Sequence, residues 1–306
     1  MQLAPVVLFV YNRPWHTIET LNALKNNCLS NKSLLYIYCD GAKQNANKQT
    51  LLDIKEVRAI VKREQWCGEV VIVERDENWG LAQNILDGIS NVIKNYGKII
   101  VLEDDMVTSK NFLDYMNFSL AYYKDAKDVY HINGHNFKSK LQYLLDDYYF
   151  SRYMNCWGWA TWKDRWEQLI TDYSFCYNKL LENKDLMRNF NYDNSLDFHN
   201  QLLLNINKKI NTWAILWYST IFFNKGYCLT SKHSYVSNIG LDGTGENCFD
   251  TTLNDSFKKD KKKFSGKIKL EETKLSRMHI ILSVCSREPY GELKFVYRKI
   301  KKYFVK

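Results

Sequence analysis

The 306-residue chain has no Cys-x-x-Cys pair, and its eight cysteines, Cys28 to Cys285, lie scattered. Disulfide frameworks and zinc ribbons announce themselves by paired spacing, so free thiols in a reducing compartment are the expectation. No secretory leader precedes the first apolar segment and no apolar run nears the length that spans a bilayer, which predicts a cytoplasmic protein. Neither the Gly-x-Gly-x-x-Gly turn nor a Walker-type phosphate loop occurs, so the two common phosphate cradles are excluded. Most of the chain also lacks net positive charge. Residues 256–306 hold 16 Lys+Arg against 5 Asp+Glu, so with +9 overall the preceding 255 residues sum to −2. A basic body for nucleic acid is thereby excluded, and the charge reads as a local anchor on the tail.

What is there alternates strands with helices. Val6–Val10 is an apolar strand stopped by Tyr11-Asn12-Arg13-Pro14, and His16–Lys25 carries Ile18, Leu21 and Leu24 on one helical face, with Thr17 as its cap. Leu34–Tyr38 ends in Cys39-Asp40-Gly41, and a second helix runs from Leu51 to Lys62. Val70–Val73 ends in Arg75-Asp76, Asn78-Trp79-Gly80-Leu81 opens a helix to about Lys94, and Ile99–Leu102 follows. Such βαβ units predict an α/β fold with a mostly parallel central sheet flanked by helices. Each strand then delivers a polar group to one sheet edge: Asn12 and Arg13, Asp40, Arg75, and Glu103-Asp104-Asp105. Three adjacent carboxylates repel one another unless a cation joins them, and a divalent ion at a strand's C-terminal edge is the natural one. The simpler reading of that triplet is a solvated loop.

Further on, Asn111–Tyr123 reads as a helix with Phe112, Tyr115, Met116, Phe118 and Tyr122 partly buried, and Val129–Asn133 as a strand. His131 and His135 lack a third metal ligand at convincing spacing and are expected to be polar neighbours of a cleft. Trp157 and Trp159 alternate as strand neighbours, whereas Trp162 and Trp166 are spaced as i,i+4 on a helix. Core packing is expected for the latter pair and a place in the cleft for Trp157.

Together the Tyr-Asn-Arg-Pro stop, the Asp closing the second strand, Asn-Trp-Gly-Leu-Ala and Glu-Asp-Asp resemble a GT-A glycosyltransferase. More closely they resemble bacterial sugar transferases of the N-acetylglucosaminyltransferase I type, with a Rossmann-like sheet. The resemblance extends through Asn155–Trp162, Trp213–Tyr218 and Asn238–Gly243 and covers residues 5 to about 248. It implies a glycosyltransferase domain over 1–255 and a basic helical extension over 256–306. It also implies Mn²⁺ or Mg²⁺ on Asp105, Asp104 at the ribose or the metal, Glu103 facing the donor sugar, and Asp40 reading the base, uracil foremost. Tyr11, Asn12, Arg13, Arg75, Asn78, Gly80 and Trp157 complete the implied donor site, with a UDP-sugar as donor and a glycan or lipid-linked glycan as acceptor.

The general base is left open. Relatives carry an Asp before the tryptophan that stands here as Trp213, where this chain has Asn211-Thr212, and an Arg and a His where Leu216 and Asn247 stand. Because an amide cannot accept the acceptor's proton, Asp197 and Asp242 are the alternatives to Asn211. A donor-binding protein without turnover and a sugar nucleotidyltransferase are the rival readings, although the first turn lacks the Gly-rich loop of the latter. Leu293–Val305 interleaves apolar and basic residues as an amphipathic helix does, which suits an anionic inner-membrane face or docking on the body.

Overall fold

The computed structural model describes residues 2–243 and 268–285. Asn247 and the stretch 293–305 expected to be an amphipathic helix lie outside the described residues. From the N-terminus the elements are β1 (Val6–Val10), α1 (Pro14–Lys25), β2 (Leu34–Cys39), α2 (Lys48–Lys62), β3 (Glu69–Glu74), α3 (Leu81–Tyr96), β4 (Lys98–Glu103), β5 (Met106–Thr108), α4 (Phe112–Tyr122) and β6 (Val129–Asn133). There follow β7 (Tyr148–Ser151), β8 (Trp159–Trp162), α5 (Lys163–Trp166), α6 (Tyr173–Leu181), α7 (Lys184–Phe190), α8 (Phe198–Ile206), α9 (Ala214–Phe223), β9 (Tyr227–Ser231), β10 (Val236–Asn238) and α10 (Lys274–Cys285). They form two compact units.

The first unit comprises residues 2–135, 155–168 and 233–243. Its sheet runs β3-β2-β1-β4-β8-β6. β1 pairs in parallel with β2 and with β4, Val6 facing Leu35 on one side and Ile100 on the other. β2 pairs in parallel with β3, and β8 is antiparallel to both β4 and β6. This is the expected α/β, mostly parallel, Rossmann-like arrangement. All five residues of β1 are buried because strands lie on both its edges and helices cover its faces. Full burial of each Val or Leu side chain contributes about 1.5–3 kcal/mol. Along the sheet, chain order runs from β1 outward to β3 and then resumes on β1's other side with β4. That reversal leaves a crevice at the C-terminal ends of β1 and β4.

Local chemistry moved several boundaries. Proline fixes a helical φ and lacks the N–H that a first helical residue would leave unpaired, so α1 begins at Pro14 and Thr17 lies inside it. There the Thr17 hydroxyl donates back to the Arg13 carbonyl at 2.9 Å rather than capping. Asn47 accepts from the Thr50 amide at 2.8 Å and starts α2 three residues earlier than the apolar pattern indicated. Trp162 closes β8 instead of sharing a helix with Trp166, but both are buried as expected. Phe118 and Tyr122, read as partly buried, are 42% and 44% exposed.

The second unit comprises residues 136–154, 169–232 and 268–285, with β7 antiparallel to β9 and helices α6–α10. Between α7 and α8, Tyr192, Asp193 and Asn194 all adopt left-handed backbone, with φ of 47°, 57° and 62°. Each such non-glycine residue costs roughly 1–2 kcal/mol. Side chains offset that cost: the buried Tyr192 hydroxyl donates to Glu272 at 2.9 Å, and Arg277 bridges Asp193 and Glu272 at 3.0 Å each. Glu272 also accepts from the Arg152 amide at 2.9 Å. Residues 268–285, part of the stretch read as a basic extension, thus help hold this turn.

His279 of α10 is buried between Ser139 at 2.7 Å and Asn136 at 2.9 Å, and burial pushes its pKa down to about 4. The unfolded chain binds this proton near pH 6.5, so stability is intact above that pH and falls as pH drops towards 4. The loss expected from this group is about 3 kcal/mol. The difference in urea midpoint between wild type and His279→Gln, followed from pH 7.5 to 4.5, should show this slope free of the other titrating groups. An imidazole titrating near 6.5 by NMR would contradict the assignment.

Candidate functional site

The crevice between β1 and β4 gathers the polar strand ends. β1 stops where Pro14 turns the chain into α1, and this places Arg13 over the end of β4. Its Nη1 donates to Asp105 at 2.8 Å and to Asp104 at 3.3 Å. Thr20 of α1 holds the Asp104 carbonyl at 2.8 Å, and the Ile239 amide donates to the Asp105 carbonyl at 2.9 Å. The segment after β10 therefore returns to the acidic stop, bringing Asp242 within 3.8 Å of Arg13 and 3.1 Å of His16 Nε2. Gly240 lies so close that any Cβ would collide with the Asp105 carboxylate and the Arg13 guanidinium. Close approach demands glycine here.

Electrostatics follow from enclosure. Glu103 retains some solvent contact, yet its crowded surroundings, followed by the charges of Asp105 and Asp104, push its carboxyl up to about 8 against the pull of Arg13. Burial and then Asp105 also hold Asp104 above the usual carboxylate range, with Arg13 opposing. Burial alone would weaken the Arg13 charge, but Asp104 and Asp105 more than offset it. His16 goes the other way, lowered by burial and by Arg13. It is therefore a neutral partner to Asp242 at pH 7.

Whether a divalent ion fits can be tested on Asp105. One of its oxygens pairs with Arg13, while Oδ1 is buried without any hydrogen-bond partner. A buried orphan oxygen is costly on its own and well suited to a hard cation. Among the described residues no three His, Cys, Asp or Glu groups converge on one point. An ion here would therefore be held by one or two carboxylates and completed by phosphate oxygens, as in Mg²⁺-type sites.

Beside this centre the loop after β3 is pinned by Asp40. Its carboxylate, buried at the end of β2, accepts from the amides of Gly41 and Trp79 at 2.9 Å, from the Gly80 amide at 3.0 Å and from the Asn78 side chain at 3.0 Å. Those four donors fill the acceptor positions of a carboxylate. They also hold Gly80 at φ 75°, a conformation that favours glycine. Asp40→Ala should leave these donors unpaired and cost about 2–4 kcal/mol, read as a lower urea midpoint. An unchanged midpoint would show that the loop is held by other means. Arg75 pairs with Asp87, reaches Asn84 at 3.4 Å and lies 3.7 Å from the centre of the half-exposed Trp79 ring.

Of the residues expected from sequence, Arg13, Glu103, Asp104, Asp105 and Asp242 come together. Asp40, Asn78 and Gly80 form one loop cluster, and Arg75 is tied into α3. Tyr11 and Asn12 stand half-buried at the end of β1. Trp157 is half-buried beside His135, ring centres 4.6 Å apart, whereas Trp159 is fully buried in the core. Asp197 and Asn211 belong to the second unit. Asp197 is 67% exposed and 3.1 Å from His199, and Asn211 is exposed ahead of α9. Sequence reasoning missed His16 and Thr20, and also the close approach of Gly240 to Asp105 and Arg13, because these depend on contacts with distant residues.

No family model and no curated protein matches this chain. Among solved structures it is similar to a UDP-glucose pyrophosphorylase complexed with UDP-glucose, at 12% identity and a TM-score of 0.31, covering 55% of this chain and 79% of that one. It is also similar to residues 1–349 of TarS from S. aureus, at 11% identity and a TM-score of 0.38, covering 76% of this chain and 59% of that one.

Proposed function

We propose that this chain is a metal-dependent glycosyltransferase of GT-A type. On this reading it moves a sugar, with inversion, from a nucleotide-sugar, a UDP-sugar foremost, to a glycan or lipid-linked glycan in surface polysaccharide or lipooligosaccharide synthesis. The observation that carries the reading is the convergence of Arg13, Asp104, Asp105 and Asp242 at the β1–β4 crevice. Open parallel sheets bind ligands at such a point.

Asp105, assisted by Asp104, would hold Mn²⁺ or Mg²⁺, and the ion would supply Lewis-acid neutralisation of the departing diphosphate. Arg13 lies on those carboxylates and adds a guanidinium suited to bidentate phosphate contact. Glu103 lies one residue before Asp104 at the end of β4 and would face the donor sugar. Asp40 serves base recognition through the Asn78–Gly80 loop it shapes, with Tyr11 and Asn12 on the other side. Asp242 is the favoured general base: it is a partly exposed carboxylate at this cluster, and His16 orients it.

Calorimetry with UDP, GDP and dTDP, each with and without Mn²⁺, tests the reading. Metal-dependent binding of one nucleotide supports it and names the base, after which turnover is assayed with sugars of that nucleotide. Binding without any hydrolysis or transfer would assign a donor-binding protein that has lost turnover, in keeping with the amide at Asn211. No metal-dependent binding of any of the three would overturn the reading.

A further inference from the structure

We infer that the first unit carries a second, metal-independent site for a phosphorylated small molecule, in a cavity against α2. The cavity has a volume of about 520 Å³ and is lined by Leu51, Ile54, Lys55, Arg58 and Lys62 of α2, together with Ala42 and Asp76 from the loops after β2 and β3. That volume is ample for a sugar phosphate. Lys55, Arg58 and Lys62 stand at i, i+3 and i+7, so a single helix face brings three cations to one opening. Like charges at that spacing repel unless an anion joins them.

Only one of the three is balanced by an ion pair. Lys62 is balanced by Glu74 at 2.8 Å. Arg58 spends Nη2 on the Arg75 carbonyl at 2.6 Å, while its Nε is buried with no hydrogen-bond partner. Among the described residues Lys55 has neither an ion pair nor a hydrogen bond. Asp76 is the one carboxylate of the lining, which leaves a positive surplus. Leu51, 49% exposed on this lining, supplies an apolar wall against which a pyranose or other weakly polar body would rest. A free ammonium, a neighbouring guanidinium and an apolar wall together select a phosphate monoester on an organic body rather than a bare ion. The site is distinct from the Asp105 centre in its chemistry, having no cluster of carboxylates to seat a metal.

The test is titration of the full-length protein with glucose 1-phosphate in EDTA, followed by calorimetry and by ³¹P NMR. Wild type and Asp105→Ala should bind it alike, and Lys55→Glu and Arg58→Gln should each weaken binding about tenfold or more. Lys55→Glu changes an exposed side chain with no partner and keeps the test valid even if Arg58→Gln perturbs folding. Vesicles of phosphatidylglycerol in phosphatidylcholine form the second arm. Binding to vesicles alone, lost in Lys55→Glu, would assign the same phosphate chemistry to a lipid headgroup. Absence of both kinds of binding up to about 20 mM phosphate, or binding unmoved by either α2 variant, would overturn the proposal. Because this experiment excludes metal, it stands or falls independently of the nucleotide test above.

Discussion

Replacing Asp105 with Ala is expected to weaken Mn²⁺-dependent nucleotide binding by about 100-fold or more, equivalent to about 3 kcal/mol. On the proposed reading the ion would take the buried Asp105 Oδ1, which has no hydrogen-bond partner, while the other Asp105 oxygen pairs with Arg13. Stability should change little, because two effects oppose. Removing one of three crowded carboxylates relieves the repulsion that adds to burial in raising Glu103 and Asp104, while Arg13 loses its 2.8 Å partner and keeps only Asp104 at 3.3 Å. Calorimetry and a urea titration on the same variant separate binding from stability. Nucleotide binding that keeps its full Mn²⁺ dependence in Asp105→Ala would remove Asp105 from the metal site.

Arg165→Ala is expected to destabilise the first unit by about 3–5 kcal/mol. The side chain is 2% exposed and donates to the carbonyls of Val129 at 3.2 Å, Lys124 at 2.9 Å and Ala126 at 3.1 Å, with a further contact to Tyr123 at 3.4 Å. Asp164 balances its charge at 2.7 Å, and its guanidinium lies 4.5 Å from the centre of the Trp162 ring. Truncation would leave those carbonyls buried without donors and a void beside Trp162. Arg165→Lys should recover only part of the loss, since an ammonium cannot reproduce the planar fork. Thermal unfolding of both variants would check this, and a shift under about 2 °C for Arg165→Ala would refute it.

Much of the fold was legible because its signals are local. Val6–Val10, Ile99–Leu102 and the stretches between them carry strand and helix periodicities that neighbours along the chain enforce. Two errors arose where a short-range competitor won and one where a distant strand did. Pro14 took the first helical position from the apolar pattern, and Asn47 capped α2 before its first apolar residue. Trp162 ended a strand because β8 pairs with β4, a partner some sixty residues earlier that no spacing rule reveals.

The candidate site divides along the same line. By itself the sequence determined that polar groups end the parallel strands, that three carboxylates close β4, and that no phosphate loop opens β1, because these depend on residues adjacent in the chain. Only the tertiary structure decided that Arg13 sits on Asp104 and Asp105, that Asp40 fills its acceptors with the Asn78–Gly80 loop, and that Asp242 and His16 meet. Those pairings join residues from 38 to 226 positions apart. Their physical basis is the burial of charge, which is tolerated only when the fold brings a partner to hydrogen-bond distance.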